Sequence, residues 1–149
     1  MKRRRGTTGE IWTDADLAAY VEKNPDTERL DIEGSQVTSQ GLACLVSLTR
    51  LRELSLRLTD VKGEAAPMLP ASLKIIDLGE TEVGDQWLAC LPRSLQCLNL
   101  QDTAVTDAAI EFLGGLKRLK EIDLQGTAIS FDARDKLYRR RRPKLRINF

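Results

Sequence analysis

The chain of 149 residues has no histidine, only three cysteines and few aromatic residues, at 5%. Histidine is the most frequent general base and metal ligand in proteins, so its absence removes the usual centre of many active sites. The sequence also lacks a glycine-rich phosphate loop and a nucleophile elbow. No apolar run approaches the roughly 18 residues that a membrane-spanning helix needs. We therefore expect no enzyme, cofactor, bound metal, small-molecule substrate or membrane association.

One leucine pattern recurs along the chain. In the stretch LQCLNLQDTAVTDAAIEFLGGLKR, Leu95, Leu98 and Leu100 follow the spacing L-x-x-L-x-L, which predicts a short strand with one buried face. Thr106 and Asp107 are good helix N-cap residues, and apolar residues then recur at helical spacing. Such a short unit of strand, turn and helix cannot bury both of its apolar edges alone, so it needs neighbours on both sides.

The pattern begins again every 22–24 residues, which is the period of leucine-rich repeats. The unit starts are Thr27, Leu51, Leu73, Leu95, Leu119 and Arg142. The paired apolar strand positions are Leu30/Ile32, Leu54/Leu56, Ile76/Leu78, Leu98/Leu100, Ile122/Leu124 and Leu145/Ile147. A hydroxyl column follows at Ser35, Thr59, Thr81, Thr103 and Thr127, and it is expected to bond the backbone of adjacent turns.

These repeats predict an α/β leucine-rich-repeat solenoid, a short horseshoe of about five repeats. A parallel concave sheet is expected, with helices or 3₁₀ turns on the convex side. The predicted boundaries are a flexible basic tail over 1–9, a half-repeat cap over 10–26, repeats from 27, 51, 73, 95 and 119, and a final strand over 143–149. Thr13 and Asp14 supply the N-cap of the half-repeat, and Pro67 interrupts the second helix. Trp87 lies on the convex side, where packing is favoured over the alternative of a binding hot spot.

The cysteines and the amino-terminal segment bear on the compartment. Cys44 and Cys90 occupy equivalent helix positions two repeats apart, about 9.5 Å by strand spacing, which is too far for a disulfide. We expect three unpaired thiols, with Cys44 and Cys90 in the core. The segment MKRRRGTTGEIW is basic but has no apolar region, so no signal peptide is expected. An intracellular protein of the cytoplasm is predicted, with the nucleus or an organelle as alternatives.

The run TAVTDAAIEFLGGLKRLKEIDLQGTAIS resembles the bacterial leucine-rich repeats that carry the signature G-T-x-V-T-D-x-G-L. These are close to the cysteine-containing class of F-box substrate receptors. The resemblance covers residues 10–149 and implies a curved parallel sheet, a concave face for partners and no catalysis. The repeats lack the cysteine of that class at its usual place and no F-box segment precedes them, so a ubiquitin-ligase role is not expected.

The concave face is the first candidate site. Its central row is predicted to be Asp31, Ser55, Asp77, Asn99, Asp123 and Arg146. The row before it is Arg29, Glu53, Ile75, Cys97, Glu121 and Lys144, and the row after it is Glu33, Arg57, Gly79, Gln101, Gln125 and Asn148. This face is polar and mostly acidic, with a small apolar spot at Ile75 and Cys97. It is either a solvated surface or a site for a basic peptide or protein surface.

The basic ends are the second candidate site. Residues 6–133 carry 11 basic and 21 acidic side chains, whereas residues 134–149 carry 8 basic and 1 acidic. The basic patch consists of Arg139, Arg140, Arg141, Arg142 and Lys144. One interpretation is a solvated helix end. The other is a patch that binds either a nucleic-acid backbone or an acidic protein. The KRRR and RRRRPK runs also resemble nuclear localisation signals. No aromatic residues alternate with these arginines, which argues against a stacking platform for single strands.

Two functions follow as expectations. The first is a non-catalytic module that binds a protein partner through the concave residues Asp31, Glu53, Ser55, Asp77, Cys97, Asn99, Glu121 and Asp123. The alternative is a structural subunit of a large assembly, such as a ribonucleoprotein, that docks through its arginine-rich ends.

Overall fold

The computed structural model describes residues 11–63, 67–141 and 145–148, and it is an α/β structure with a parallel sheet of six strands. The sheet strands are β1 (Arg29–Asp31), β2 (Glu53–Ser55), β4 (Ile75–Asp77), β6 (Cys97–Asn99), β7 (Glu121–Asp123) and β8 (Arg146–Asn148). A separate parallel pair is formed by β3 (Lys62–Gly63) and β5 (Glu82–Val83). The helical elements are α1 (Asp14–Lys23), α2 (Ala109–Gly115), α3 (Phe131–Arg141) and the 3₁₀ helices Gly41–Ser47 and Asp85–Cys90. In these ranges no helix has the length and apolar character needed to span a bilayer.

The strands of the large sheet are added in chain order, β1-β2-β4-β6-β7-β8, and each is parallel to the one before. The apolar residue at the centre of each strand lies opposite its equivalents: Leu30, Leu54, Ile76, Leu98, Ile122 and Ile147. The first five of these strands therefore pair in the register that the leucine pattern predicts. The predicted tail over 1–9 lies outside the described residues.

The predicted register of the last strand was wrong. Ile147 pairs with Ile122, so Arg146 lies opposite Glu121 and Asn148 lies opposite Asp123. The prediction had placed Arg146 in the row of Asp123. The difference arises because α3 continues to Arg141, so the chain reaches the sheet two residues later than a unit starting at Arg142 would require.

The core lies between one face of the sheet and the helical layer. Leucine, isoleucine and valine fill it, and the strand residues Leu54, Leu78 and Leu100 are almost completely buried. Trp87 is also fully buried, which confirms that it packs rather than presenting a surface. Residues 67–74 contain no helix, as expected from Pro67.

The hydroxyl column is used differently from the prediction. The hydroxyls of Thr59, Thr81, Thr103 and Thr127 donate to the carbonyl three residues earlier in their own unit, at 2.6–2.7 Å. Among the described residues of the hydroxyl column, only Ser35 forms a side-chain hydrogen bond with another unit. Its Oγ accepts from the backbone N of Trp12 at 3.2 Å. The short threonine side chain reaches its own strand end, so it closes the turn after each strand and does not bridge neighbours.

Side-chain bridges between consecutive units come instead from the residues that were predicted to cap helices. The carboxylate of Asp14 accepts from the backbone N and the hydroxyl of Thr38, at 2.8 and 2.7 Å. We call each such double hydrogen bond a clamp, and the clamps are Asp14–Thr38, Asp85–Thr106 and Asp107–Ser130. The N-cap prediction was wrong for Thr106 and Asp107, since α2 begins after Ala108. It was right for Thr13, which caps α1 with Asp16 in a capping box.

A fourth connection replaces the carboxylate with a serine. Ser39 Oγ donates to the carbonyl of Lys62 at 2.5 Å and accepts from the backbone N of Lys62 at 3.1 Å. The next position in this series has glycine on both sides, Gly63 and Gly84, so no side chain can form a clamp there. The short β3–β5 pair joins the two units at that point.

The turns that follow the strands share a left-handed residue. Gly34, Leu58, Glu80, Asp102 and Gly126 occupy equivalent positions and have φ between 52° and 72°. Leu58, Glu80 and Asp102 are therefore non-glycine residues in a conformation that favours glycine. Leu58 is the one apolar member, and its side chain is 45% exposed.

The cysteines are unpaired, as predicted, but one of their positions was mispredicted. Cys44 is half-buried against the core, whereas Cys90 at the end of its 3₁₀ helix is exposed. The 3₁₀ helix Asp85–Cys90 buries Trp87 and Leu88 and turns Cys90 outward. Leucine periodicity alone could not distinguish this from an α-helix with Cys90 inside.

Candidate partner-binding surface

The face of the sheet opposite the core presents the outer residues of each strand, and we call it the open sheet face. Its central row is Asp31, Ser55, Asp77, Asn99, Asp123 and Asn148, and its first row is Arg29, Glu53, Ile75, Cys97, Glu121 and Arg146. All of the predicted partner-binding residues (Asp31, Glu53, Ser55, Asp77, Cys97, Asn99, Glu121 and Asp123) lie on it. Their side chains are half-buried or exposed, so they remain accessible.

The central row is fixed by local hydrogen bonds. One side-chain oxygen of Asp31, Asp77, Asn99 and Asp123 accepts from the backbone N two residues later, at 2.8–3.1 Å. These Asx turns end the strands and hold the side chains in place. Each of these four side chains therefore has one oxygen already occupied. Ser55 has no such bond in the described structure, so replacing it removes no Asx turn.

A polar cluster covers the carboxyl ends of the central strands. Arg57 forms an ion pair with Glu80, and its Nη1 donates to Gln101 Oε1 at 3.4 Å. A β-carbon added at Gly79 would lie 2.5 Å from the Nη1 of Arg57. Glycine at this position therefore makes room for the guanidinium to lie across the sheet. This network keeps Arg57 engaged and reduces its ability to bind another anion.

A depression of about 240 Å³ lies at the amino ends of the strands on this face. It is lined by Glu28, Arg29, Arg52, Glu53, Lys74, Ile75, Gln96 and Cys97. Arg52 and Lys74 were not among the predicted site residues. They directly precede the first row in their units, at positions equivalent to Glu28, Gln96 and Lys120, so aligning the repeats one column further would have found them.

The charges around this depression are not all paired. Arg29 bonds Glu53 at 3.2 Å, and Glu28 bonds Arg50 at 3.0 Å. Lys120 Nζ donates to Gln96 Oε1 at 3.1 Å. Within the described ranges the side chains of Arg52 and Lys74 have no hydrogen bond or ion pair. The carboxylates of the depression are thus neutralised while two of its cations are not.

The apolar spot predicted on this face is present beside these cations. Ile75 is 40% exposed, and Cys97 is half-buried next to it across the β4–β6 pair. Burial raises the pKa of the Cys97 thiol, and the nearby charge of Glu121 raises it further. The thiol is therefore protonated at neutral pH and adds an uncharged surface to that of Ile75.

The structure describes only part of the predicted basic patch, and two of its arginines form ion pairs. Arg139 bonds Asp135 at 2.7 Å, and Arg140 bonds Glu111 at 3.1 Å. Arg141 ends α3, while Arg142 and Lys144 lie outside the described residues. The hydrogen bonds from Arg140 and Lys136 hold the pKa of Glu111 below its usual range. The described part of the patch is thus partly neutralised.

A larger depression, of about 580 Å³, lies between α3 and β8. Phe131, Tyr138, Leu145 and Ile147 supply its apolar lining, with Arg134 and Asp135 beside them. Phe131 is 83% exposed. Sequence reasoning did not identify this concavity, because it depends on how the last helix packs over the last strand.

The chemistry that these surfaces offer is hydrogen bonding, charge and modest apolar contact. Over residues 11–63, 67–141 and 145–148 there is no group of histidine, cysteine, aspartate or glutamate side chains that could hold a metal ion. In comparisons with known proteins, neither a protein-family model nor a curated protein matches the chain.

Proposed function

We propose that this chain is a short leucine-rich-repeat solenoid that binds a protein partner through the open sheet face, which would be its concave side. Its repeats resemble the bacterial-type, cysteine-containing-like leucine-rich repeats, and we assign it no catalytic role. Its support is the regular addition of strands at the leucine period, together with equivalent turns and clamps in successive units. An intracellular location is part of the same proposal, since three thiols are unpaired.

One observation carries the assignment to this face. Four central-row side chains, Asp31, Asp77, Asn99 and Asp123, are fixed by Asx turns and stay accessible. A rigid row of polar groups loses little conformational entropy when a partner binds. Repeat proteins commonly use such extended faces for recognition.

The test uses a steric block on the open sheet face. Ser55→Trp places a large side chain on β2 without removing an Asx turn. Ala43→Trp is the matched control, because Ala43 is exposed on the 3₁₀ helix Gly41–Ser47 in the opposite layer. Partners would first be captured from native cells by the tagged chain, with and without nuclease, identified by mass spectrometry and then purified.

We expect Ser55→Trp to weaken binding of a purified partner by about tenfold or more, as for a disrupted interface centre. Ala43→Trp should leave the affinity within about twofold. Unchanged binding in Ser55→Trp, or an equal loss in both variants, would reject the open sheet face as the site.

Docking through the arginine-rich ends has weaker support. The segregated charge of residues 134–149 favours it, but Arg139 and Arg140 are already engaged with Asp135 and Glu111. This alternative predicts that captured partners disappear after nuclease treatment and that binding falls steeply with salt. It also predicts that replacing Arg139–Arg142 with alanine removes binding while Asp77→Ala with Asp123→Ala does not.

A further inference from the structure

The unpaired cations of the open sheet face point to a specific partner chemistry. The depression at the amino ends of β1, β2, β4 and β6 combines the cations of Arg52 and Lys74 with the uncharged surface of Ile75 and Cys97. Its volume of about 240 Å³ is below the usual size of a cofactor or substrate pocket. It suits one or two side chains of a larger partner.

The electrostatics of this depression differ from those of the central row. Its two carboxylates are neutralised, Glu53 by Arg29 and Glu28 by Arg50. Arg52 is exposed and Lys74 is half-buried, and neither has an ion pair in the described part of the chain. An anionic group that enters here can therefore pair with both cations, although the face as a whole is rich in carboxylates.

The apolar part of the depression favours a peptide carboxylate over a phosphate as the anion that binds there. Ile75 is 40% exposed in the middle of a polar face, so it offers an aliphatic surface beside the two cations. Cys97 adds a small uncharged surface beside it. A bare phosphate backbone would leave this spot unused, whereas a peptide segment can supply a carboxylate and an apolar side chain together.

We propose that this depression binds an acidic–apolar segment of a protein partner. A carboxylate of the segment is held by Arg52 and Lys74, and a neighbouring aliphatic or aromatic side chain rests on Ile75 and Cys97. The inference rests on the proposed function and refines the expectation of a basic partner. The acidic central row and the cationic depression would bind different parts of the same ligand.

The experiment begins with a phage-displayed library of random dodecapeptides selected on the full purified chain. Enriched peptides should contain aspartate or glutamate next to leucine, isoleucine, valine or phenylalanine. Their affinities are then measured by fluorescence anisotropy for the wild type, Arg52→Glu/Lys74→Glu and Arg93→Glu/Arg118→Glu. The last variant is the charge-matched control, since Arg93 and Arg118 are exposed and have no ion pair within the described ranges.

We expect at least a tenfold loss of affinity in Arg52→Glu/Lys74→Glu and less than a twofold change in the control. Arg52→Gln/Lys74→Gln should show an intermediate loss, which guards against a folding defect in the charge-reversed variant. Bound peptide should also slow alkylation of Cys97 by iodoacetamide without changing that of Cys90. Circular dichroism melting of each variant checks the fold.

Several outcomes would overturn the inference: enrichment of basic peptides, no enrichment, equal binding by Arg52→Glu/Lys74→Glu, or an unprotected Cys97. Binding of a dodecauridylate probe that depends on Arg52 and Lys74 would also overturn it, in favour of nucleic acid. If Ser55→Trp blocks the selected peptides while Arg52→Glu/Lys74→Glu does not, the proposed function stands and only this inference fails. If a purified partner is unaffected by Ser55→Trp, the proposed function itself fails.

Discussion

Asp107 binds Ser130 of the following unit through two hydrogen bonds, one from the backbone N at 2.6 Å and one from the hydroxyl at 2.7 Å. Asp14 and Asp85 form the same clamp with Thr38 and Thr106. The backbone bond from Ser130 is the main reason that the pKa of Asp107 lies below its ordinary value. Each of the three clamps therefore fixes one unit to the next.

Asp14→Ala should lower the free energy of unfolding by about 1–2 kcal/mol, because two hydrogen bonds in a partly buried site are lost. Gly41→Ala tests the same clamp independently, since a β-carbon there would collide with the Asp14 carboxylate. Urea denaturation measures both variants. Asp132→Ala, an exposed carboxylate in α3 with no bond in the described structure, is the control and should change little. Equal losses in Asp14→Ala and Asp132→Ala would show that the clamp contributes nothing.

Leu58→Gly should stabilise the protein by about 1 kcal/mol, since φ at this position is 56° and leucine there adopts a left-handed conformation. The side chain is 45% exposed, so little packing is lost. Val46→Gly is the matched comparison, because Val46 is 46% exposed in a 3₁₀ helix and has no positive φ. That change should destabilise by about 1 kcal/mol. Thermal melting gives the sign of each effect, and a loss of stability in Leu58→Gly would disprove the strain argument.

Glu111→Gln should reduce stability at neutral pH but not in acid. Hydrogen bonds from Arg140 and Lys136 lower the pKa of Glu111 in the folded state. A lowered folded pKa gives stability that is present above the unfolded value, about 4.3, and lost as pH falls through the folded pKa. Melting temperatures of the two proteins should therefore differ at pH 7 and converge in acid. Glu22→Gln, an exposed carboxylate of α1, provides the reference, and a gap that persists in acid would contradict the ion-pair explanation.

Cys90 should react with iodoacetamide faster than Cys44 or Cys97 at neutral pH. Cys90 is exposed, whereas the other two are half-buried. Burial raises the pKa of both half-buried thiols, and only the thiolate reacts. Their rates should rise with pH, as followed by mass spectrometry of the alkylated peptides. If Cys97 reacts as fast as Cys90 at pH 7, its thiol is less protected than the structure indicates.

Leucine spacing was sufficient to predict the strands of the large sheet and the register of the first five, but not the β3–β5 pair. A period of two residues leaves each of those five strands only one way to bury its apolar positions. Leucine spacing failed at β8, where Leu145 and Ile147 fit two registers and the length of α3 decides between them. Thr106 and Asp107 have side chains that can cap a helix or form a clamp. Only the distance from these side chains to the neighbouring unit distinguishes the two roles.

The same limit applies to the candidate surface. Which residues face away from the core follows from alternation, so the central row was predictable over five strands. Which charges remain unpaired depends on side-chain reach between units, as in the pairs Arg29–Glu53 and Glu28–Arg50. For that reason the sequence predicted an acidic face and did not reveal the cations of Arg52 and Lys74.

The missing clamp between Gly63 and Gly84 has a consequence for how the molecule comes apart. Asp14–Thr38 and Ser39–Lys62 tie the first units together, and Asp85–Thr106 and Asp107–Ser130 tie the last. Between these two blocks the helical side is joined by the two-residue β3–β5 pair. We expect an opening that starts at either end to stop at this seam, because local opening occurs where the fewest interactions must be broken. We therefore expect the chain to open as two cooperative blocks that share one sheet.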